Sequence, residues 1–372
     1  MKKKIFIFIH QCALRGGVEK VFCNLLNNLP TEKYEITVLS YVANLRDDLD
    51  MQIYPSNVKR RWLYYDEFSP NGIRRFIQRL HNHIYPHFCR LWLRFQKFDT
   101  SIAAQEGMYA DYVNKYVHAD KKLLWIHNDI SICHWTEQFF KNSDCEALCY
   151  RAYDRVVCVS EDVKESMIKT FGAMENLMVC YNPIDTNEID QKKDLFSLSH
   201  PDCPLFVAVG RLAEQKGYDR LLRICKKLYD EGFHFCVWIL GEGEKRTELE
   251  QYICENGMTQ IILMGNQSNP FPYICEADWI ICTSRHEGFN MVLHEAVWCG
   301  TPIITMKNAG AHELLGNSEF GIITENSEQA FYLVLKSVLS DSSIHEHFQK
   351  AVAERKRFVD LKSRITAIEK LL

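Results

Sequence analysis

A chain of 372 residues with 47% hydrophobic content is long enough for two domains with separate cores. Its net charge of −4 lacks the basic balance of a dedicated nucleic-acid binder. The 15 cysteines are scattered singly with no C-x2-C pair, which argues against a disulfide framework or a zinc site and for reduced, mostly buried thiols of a cytosolic protein.

In chain order, Met1–Lys4 is basic, but the apolar run Ile5–Ile9 is too short for a signal-peptide core and reads as a first buried strand. Gly16 and Gly17 follow it and open a helical pattern, Val18–Leu29. A glycine pair there lets a backbone approach a ligand closely, and a helix start favours an anion; a plain turn explains it equally well. Ile36–Val42 is the next strand. Lys59 to Lys97 then holds nine Lys or Arg against Asp66 and Glu67, with aromatics interleaved. Arg74–Leu80 and Phe88–Phe95 have helical apolar spacing. This region reads either as a basic amphipathic surface for an anionic membrane or as a helix pair with a solvated basic face. Basic–aromatic interleaving also suits single-stranded nucleic acid. No stretch reaches the roughly 20 apolar residues that cross a bilayer.

Strands Leu123–Ile126 and Val156–Val159 follow, the first ending in Trp125, His127, Asn128 and Asp129. The polar stretch 187–204 has no apolar period and reads as the break between domains. Beyond it come Leu205–Val209, Phe235–Leu240, Ile261–Met264, Trp279–Cys282 and Ile303–Thr305. Short apolar runs alternating with helical patterns predict parallel sheets with covering helices, which bind ligands at the carboxyl ends of their strands. Leu205–Val209 runs into Gly210, then Arg211 and Lys216, two cations five apart. Such a pair suits a diphosphate, and it also fits an ordinary solvated loop. Gly241 and Gly243 read as a tight turn. Gly265 opens a loop rich in turn residues. Ser342–Leu372 has a helical pattern.

Glu287 and Glu295 are the most informative pair. The apolar run before Glu287 places it in a strand-to-helix loop, with the N–H groups of 288–290 near a helix N-terminus. Met291–Trp298 reads as that helix, closed by Gly300, with Glu295 about two turns along. Donors beside one carboxylate and a second carboxylate further on suit a ligand with several hydroxyls and an anionic group.

The string Glu287-Gly-Phe-Asn-Met-Val-Leu-His-Glu295-Ala, followed by Cys299-Gly-Thr-Pro-Ile-Ile304, resembles the E-x7-E signature of retaining glycosyltransferases of the family 4 type. That resemblance covers most of the chain and implies the GT-B architecture: two doubly wound Rossmann-like α/β domains facing a cleft. It implies that Glu287, with the amides of Gly288, Phe289 and Asn290, contacts the donor sugar and that Glu295 binds ribose. The family commonly has Gly or Pro where Asn290 stands, which bears on donor-sugar preference. The stretch from Gly210 to Gly217 resembles the family's G-R-x4-K-G element, so Arg211 and Lys216 neutralise the donor pyrophosphate in place of a metal. Gly16 and Gly17 resemble the G-G-x-E loop that faces the donor. The resemblance also implies that the loop at Gly265 holds the base and that His127 reaches the sugar near the reacting carbon. Asn182–Asp185 resembles a structural hinge.

The expected organisation is an acceptor-side domain over 1–186, a nucleotide-sugar domain over 187–355, and a final helix over 356–372 that packs back on the first domain. The expected activity is transfer of a hexose, with retention, from a nucleotide sugar to a hydroxyl of a lipid-linked glycan in surface polysaccharide synthesis. UDP-sugars are favoured as donor. No cofactor, metal or nucleic acid is expected. The protein is placed in the cytoplasm, with 59–97 toward the inner membrane face. A catalytically inactive nucleotide-sugar-binding partner of another transferase is the alternative. A nicotinamide-dependent dehydrogenase fits less well, because no G-x-G-x-x-G follows an early strand.

Overall fold

The apolar run Ile5–Ile9 forms the last five residues of strand β1 (Lys3–Ile9), all buried. A strand covered on both faces has no solvent side and so need not alternate. A computed structural model describes residues 2–11, 16–43, 54–55, 57–65 and 72–372. The chain divides into two compact units, Met1–Pro183 with Lys362–Leu372, and Ile184–Leu361.

The first unit is built on seven strands in the order β3-β2-β1-β4-β5-β6-β7. After β1 these are β2 (Tyr34–Ala43), β3 (Val58–Tyr65), β4 (Phe98–Ala103), β5 (Ala119–Ile126), β6 (Arg155–Cys158) and β7 (Leu177–Val179). Every pairing is parallel. The last helix, Leu361–Glu369, belongs largely to this unit. There Thr100 Oγ1 donates to the Leu372 carbonyl at 2.8 Å, and Arg364 donates to the Asn182 carbonyl at 2.7 Å.

The second unit has six strands in the order β10-β9-β8-β11-β12-β13. They are β8 (Leu205–Val209), β9 (Cys236–Leu240), β10 (Ile261–Gly265), β11 (Trp279–Cys282), β12 (Ile303–Met306) and β13 (Ile322–Thr324), again all parallel. Both sheets are doubly wound α/β sheets. In each, the chain builds outward on one side of the first strand and then returns to its other side. The order therefore reverses between β1 and β4, and between β8 and β11, where sheets of this type open a crevice at the strand ends.

Local differences from the sequence reading have identifiable causes. Strands β7 and β13 are apolar but only three residues long, and β3 and β4 carry little apolar signal; β4 buries Thr100 and Ser101 beside Ile102. The stretch 187–204 begins inside a helix, Thr186–Lys192, capped by the Asp185 side chain, which accepts from the Glu188 N–H at 3.0 Å. The expected helix pair in 59–97 is the edge strand β3 followed by one helix of 23 residues, Gly72–Arg94, which retains Pro86. The C-terminal segment is two helices, Ser342–Glu354 and Leu361–Glu369, joined by a 3-10 turn. Residues 12–15 of the first glycine loop, and Asp66, Glu67 and Phe68 of the basic region, lie outside the described residues.

Candidate functional site

Three loops at the carboxyl ends of β8, β10 and β11 carry the residues singled out in the second unit. The β8 loop turns through a short 3-10 segment, Glu214–Lys216, and ends at Gly217 with φ +66. Only glycine fits this position. The conformation is left-handed, and a Cβ there would meet the Thr283 carbonyl at 2.3 Å. That close approach locks the β8 loop to the β11 loop. Thr283 Oγ1 donates to the carbonyls of Lys216 and Gly217 at 3.2 and 3.1 Å. The Arg285 guanidinium grips Asp219 with two bonds of 2.8 Å each, a planar fork on a carboxylate. Burial works against the Asp219 carboxylate, but Arg285 and Arg223 outweigh it and hold the group well below the usual range. Gln215 donates to the His286 carbonyl at 3.0 Å, completing the tie.

Within this frame Lys216 meets Glu287. The ammonium lies 2.6 Å from Glu287 Oε1, and Ser284 Oγ donates to the same oxygen at 2.7 Å. Burial disfavours the ammonium, yet the adjacent Glu287 charge prevails and holds Lys216 above the ordinary lysine range. Arg211 stands exposed at the surface, and its backbone carbonyl accepts from the Ala213 N–H at 2.8 Å. One cation is thus paired and half-buried, and the other is exposed to solvent. Gly265 closes β10, where its carbonyl accepts from the Gly241 N–H at 2.8 Å.

Gly288, Phe289 and Asn290 lead from Glu287 into the helix Met291–Cys299. No side chain caps this helix start, so its first N–H groups are not satisfied by a cap. The Asn290 amide turns away to donate to Cys282 Sγ at 3.1 Å, leaving only its backbone toward the loop. The Phe289 ring stacks on His294 at 3.9 Å, and His294 in turn bonds the Asn290 carbonyl at 3.0 Å. Glu295 is the fifth residue of the helix, little more than one turn in rather than two, and is 2% exposed. Gly300 ends the helix in the left-handed region.

In the first unit, Gly16 is the N-cap of the helix Gly17–Asn28. A Cβ on Gly16 would lie 2.5 Å from Glu19 Oε2, so glycine admits the folded-back, buried Glu19 side chain; Gly17 has nothing within 4 Å of that position. His127 follows β5. Its backbone N–H donates to Glu106 Oε2 at 3.0 Å, and the Asn128 amide donates to Glu106 Oε1 at 2.7 Å. Its Nε2 is buried with no hydrogen-bond partner. Burial pushes the imidazole down to about 4, so it is neutral at neutral pH. Burial also pushes the fully enclosed Glu106 carboxyl up, against the bonds from Asn128 and His127. Asp129 is spent locally on Ser131, whose N–H and hydroxyl donate to Oδ1 at 3.0 and 2.7 Å.

The second unit therefore gathers Arg211, Lys216, Glu287, Gly288, Phe289, Asn290, Glu295 and Gly265 on the loops and helix at one edge of its sheet. Gly16, Gly17 and His127 lie at the corresponding edge of the first. The sequence reading did not single out Ser284, Thr283, Asp219 or Glu106 as parts of the site. Ser284 and Thr283 directly follow a recognised strand, and a polar pair between strand and glutamate was the available signal. Glu106 follows β4, a strand the apolar runs did not reveal. Among the described residues no group of three or more His, Cys, Asp or Glu is arranged to hold a metal ion. No described helix is long and apolar enough to cross a membrane.

Two parallel-sheet Rossmann-like units with these loops define the class as the GT-B fold. Consistent with this, the structure of Anabaena HepE in complex with UDP and glucose matches with a TM-score of 0.75 at 16% identity, over 98% of each chain. Residues 15–188 match the model for Glycosyltransferase Family 4, and residues 203–341 match that for Glycosyl transferases group 1. The chain belongs to the glycosyltransferases of the family 4 type. It is 30% identical over 238 residues to the Campylobacter jejuni N-acetylgalactosamine-N,N'-diacetylbacillosaminyl-diphospho-undecaprenol 4-alpha-N-acetylgalactosaminyltransferase, covering 61% of this chain and 62% of that protein. It is 24% identical over 209 residues to the lipopolysaccharide core biosynthesis glycosyltransferase LpsE of Rhizobium meliloti, covering 55% and 57%. The chain thus spans less than two thirds of the length of these two relatives.

Proposed function

We propose that the protein transfers a hexose, with retention of configuration, from a nucleotide sugar to a hydroxyl of a lipid-linked glycan in surface polysaccharide synthesis. The observation that carries this reading is the meeting of Lys216 with Glu287 where the sheet order reverses, beside exposed Arg211 and the uncapped helix start. A donor diphosphate brings two negative charges to this point. Arg211 and Lys216 neutralise them, and they stabilise the further charge that builds as the sugar leaves. Lys216 is held by Glu287 before the donor arrives. Glu287 is thereby positioned to accept from sugar hydroxyls, together with the N–H groups of Gly288, Phe289 and Asn290. Glu295 takes the ribose hydroxyls, and the loop at Gly265 takes the base. The Gly16–Gly17 turn and neutral His127 are assigned to donor recognition as well. The leaving phosphate accepts the acceptor's proton in a front-side attack, without a resident metal.

UDP is the favoured carrier. HepE, which shares the fold, was solved with UDP and glucose, and the Campylobacter relative's name specifies a diphospho-undecaprenol acceptor. The acceptor is approached from the cytoplasmic face of a membrane, through the basic–aromatic region 59–97. The test is transfer from UDP-hexoses and UDP-N-acetylhexosamines to a polyprenyl-diphosphate-linked sugar, in chelator, by wild type and by Glu287→Ala and Lys216→Ala. The reading requires turnover by wild type and its loss in both variants. Equal activity in all three would refute the site. Donor binding without turnover, across all donors and acceptors, would favour an inactive binding partner.

A further inference from the structure

The helix Gly72–Arg94 is packed firmly on one side. Gln78, Pro86, Cys89 and Leu93 are buried. Asn82 bonds the Tyr65 backbone of β3 through both its oxygen and its nitrogen, at 2.7 and 3.0 Å, and Arg61 donates to the Tyr85 hydroxyl at 3.2 Å. Those buried positions cluster on one face at about 100° per residue. The opposite face should then be polar. Instead it carries Phe76, Leu80, Ile84, Phe88, Leu91 and, just past its end, Phe95. Their exposures run from 47% for Leu80 to 79% for Phe95. Scattered exposed apolar side chains are ordinary; a continuous stripe of them along one helix marks an interaction surface.

Charge selects the partner. Residues 72–97 contain five Arg and one Lys and no Asp or Glu. Arg79, His83, His87 and Arg94 fall along one flank of the stripe at helical spacing. Pairing two copies of this helix would bring cations against cations, which costs free energy. A negatively charged lipid surface satisfies both halves of the pattern. Its acyl region takes the phenylalanines and leucines, and its headgroups take the arginines. Extended over 23 residues, the helix offers a line roughly 35 Å long, suited to lying in a surface plane.

We propose that the outward face of Gly72–Arg94 is an interfacial helix that seats the protein on an anionic bilayer, with Phe76, Phe88 and Phe95 inserted below the headgroups. This rests on the reading that the acceptor is lipid-linked, and it specifies which surface meets the lipid.

The test is flotation of the full chain with phosphatidylcholine vesicles, with and without phosphatidylglycerol. UDP-induced thermal stabilisation and light scattering are measured on the same samples. Wild type is expected to float with the anionic vesicles and to be released by salt. Phe76→Ser/Phe88→Ser/Phe95→Ser should weaken partitioning by about tenfold or more. Arg79→Gln/Arg94→Gln should weaken it by roughly fivefold per cation removed. Both variants should keep the UDP shift, which separates loss of this surface from loss of the fold. Wild type that binds UDP but no anionic vesicle overturns the proposal, as does binding equal in all three proteins. A dimer that the phenylalanine variant dissociates, without vesicle binding, also overturns it and identifies a second copy as the occupant. Vesicle binding without any UDP shift would leave this surface standing and refute the donor site.

Discussion

Two helices of this protein reverse the usual partition of side chains in opposite senses. Met291–Cys299 and the loop before it bury Glu287, Asn290 and Glu295, at 8%, 8% and 2% exposure. Gly72–Arg94 exposes Phe76 and Phe95, at 67% and 79%. Buried carboxylates are tolerated only where partners compensate them, and Lys216 and Ser284 do so for Glu287. Exposed aromatics have no such internal compensation, and the proposal above gives them a partner outside the chain. The same departure from the burial rule marks a built polar site in one place and the proposed docking face in the other.

The sharpest break in this comparison comes from the polar side. Lys216→Met or Glu287→Gln should each lower kcat by about 10²–10³. The double variant should fall well short of the product of the two losses, since both report one ion pair; full multiplicativity in steady-state rates would separate their roles. On the apolar side, the triple phenylalanine variant should lose about tenfold in vesicle partitioning while its kcat on a water-soluble acceptor analogue stays at the wild-type value.

A third test uses His127. Its folded-state value is depressed to about 4 from an ordinary 6.5 by burial. The folded chain therefore binds fewer protons there than the unfolded chain. The stability this gives is complete above pH 6.5 and is lost as pH falls toward 4, by roughly 1.4 kcal/mol per pH unit. Denaturant titrations from pH 7 to 4 should show His127→Gln losing stability less steeply than wild type; identical slopes would contradict a buried neutral imidazole. The smallest effect is expected for Ser284→Ala. It removes one hydrogen bond to Glu287 and leaves Lys216 in place, so kcat/KM should drop only about two- to tenfold.

The sequence made the second unit's site legible because its signals are local. Each loop directly follows a strong apolar strand, and Gly210, Gly217, Gly265 and Gly300 punctuate the turns. Strands β8 to β12 were recognisable for the same reason. What stayed hidden depends on tertiary context. Strand β4 buries Thr100 and Ser101, so no apolar run announced it, and Glu106 behind it could not be placed. Asp219 and Arg285 are 66 residues apart, and nothing local pairs them. In Gly72–Arg94 the periodicity was readable, but the burial of Gln78 and Pro86 puts the apolar stripe outside, which no pattern of spacing could decide.

The central claim is that fixed cations, Arg211 foremost, hold the donor diphosphate. The direct measurement is calorimetric titration of UDP and GDP into wild type and Arg211→Gln, with chelator present throughout. The account predicts that wild type binds one of the two nucleotides in chelator and that Arg211→Gln binds it at least about tenfold more weakly. Equal affinity in the two proteins, or wild-type binding that appears only when a divalent cation is restored, would contradict it.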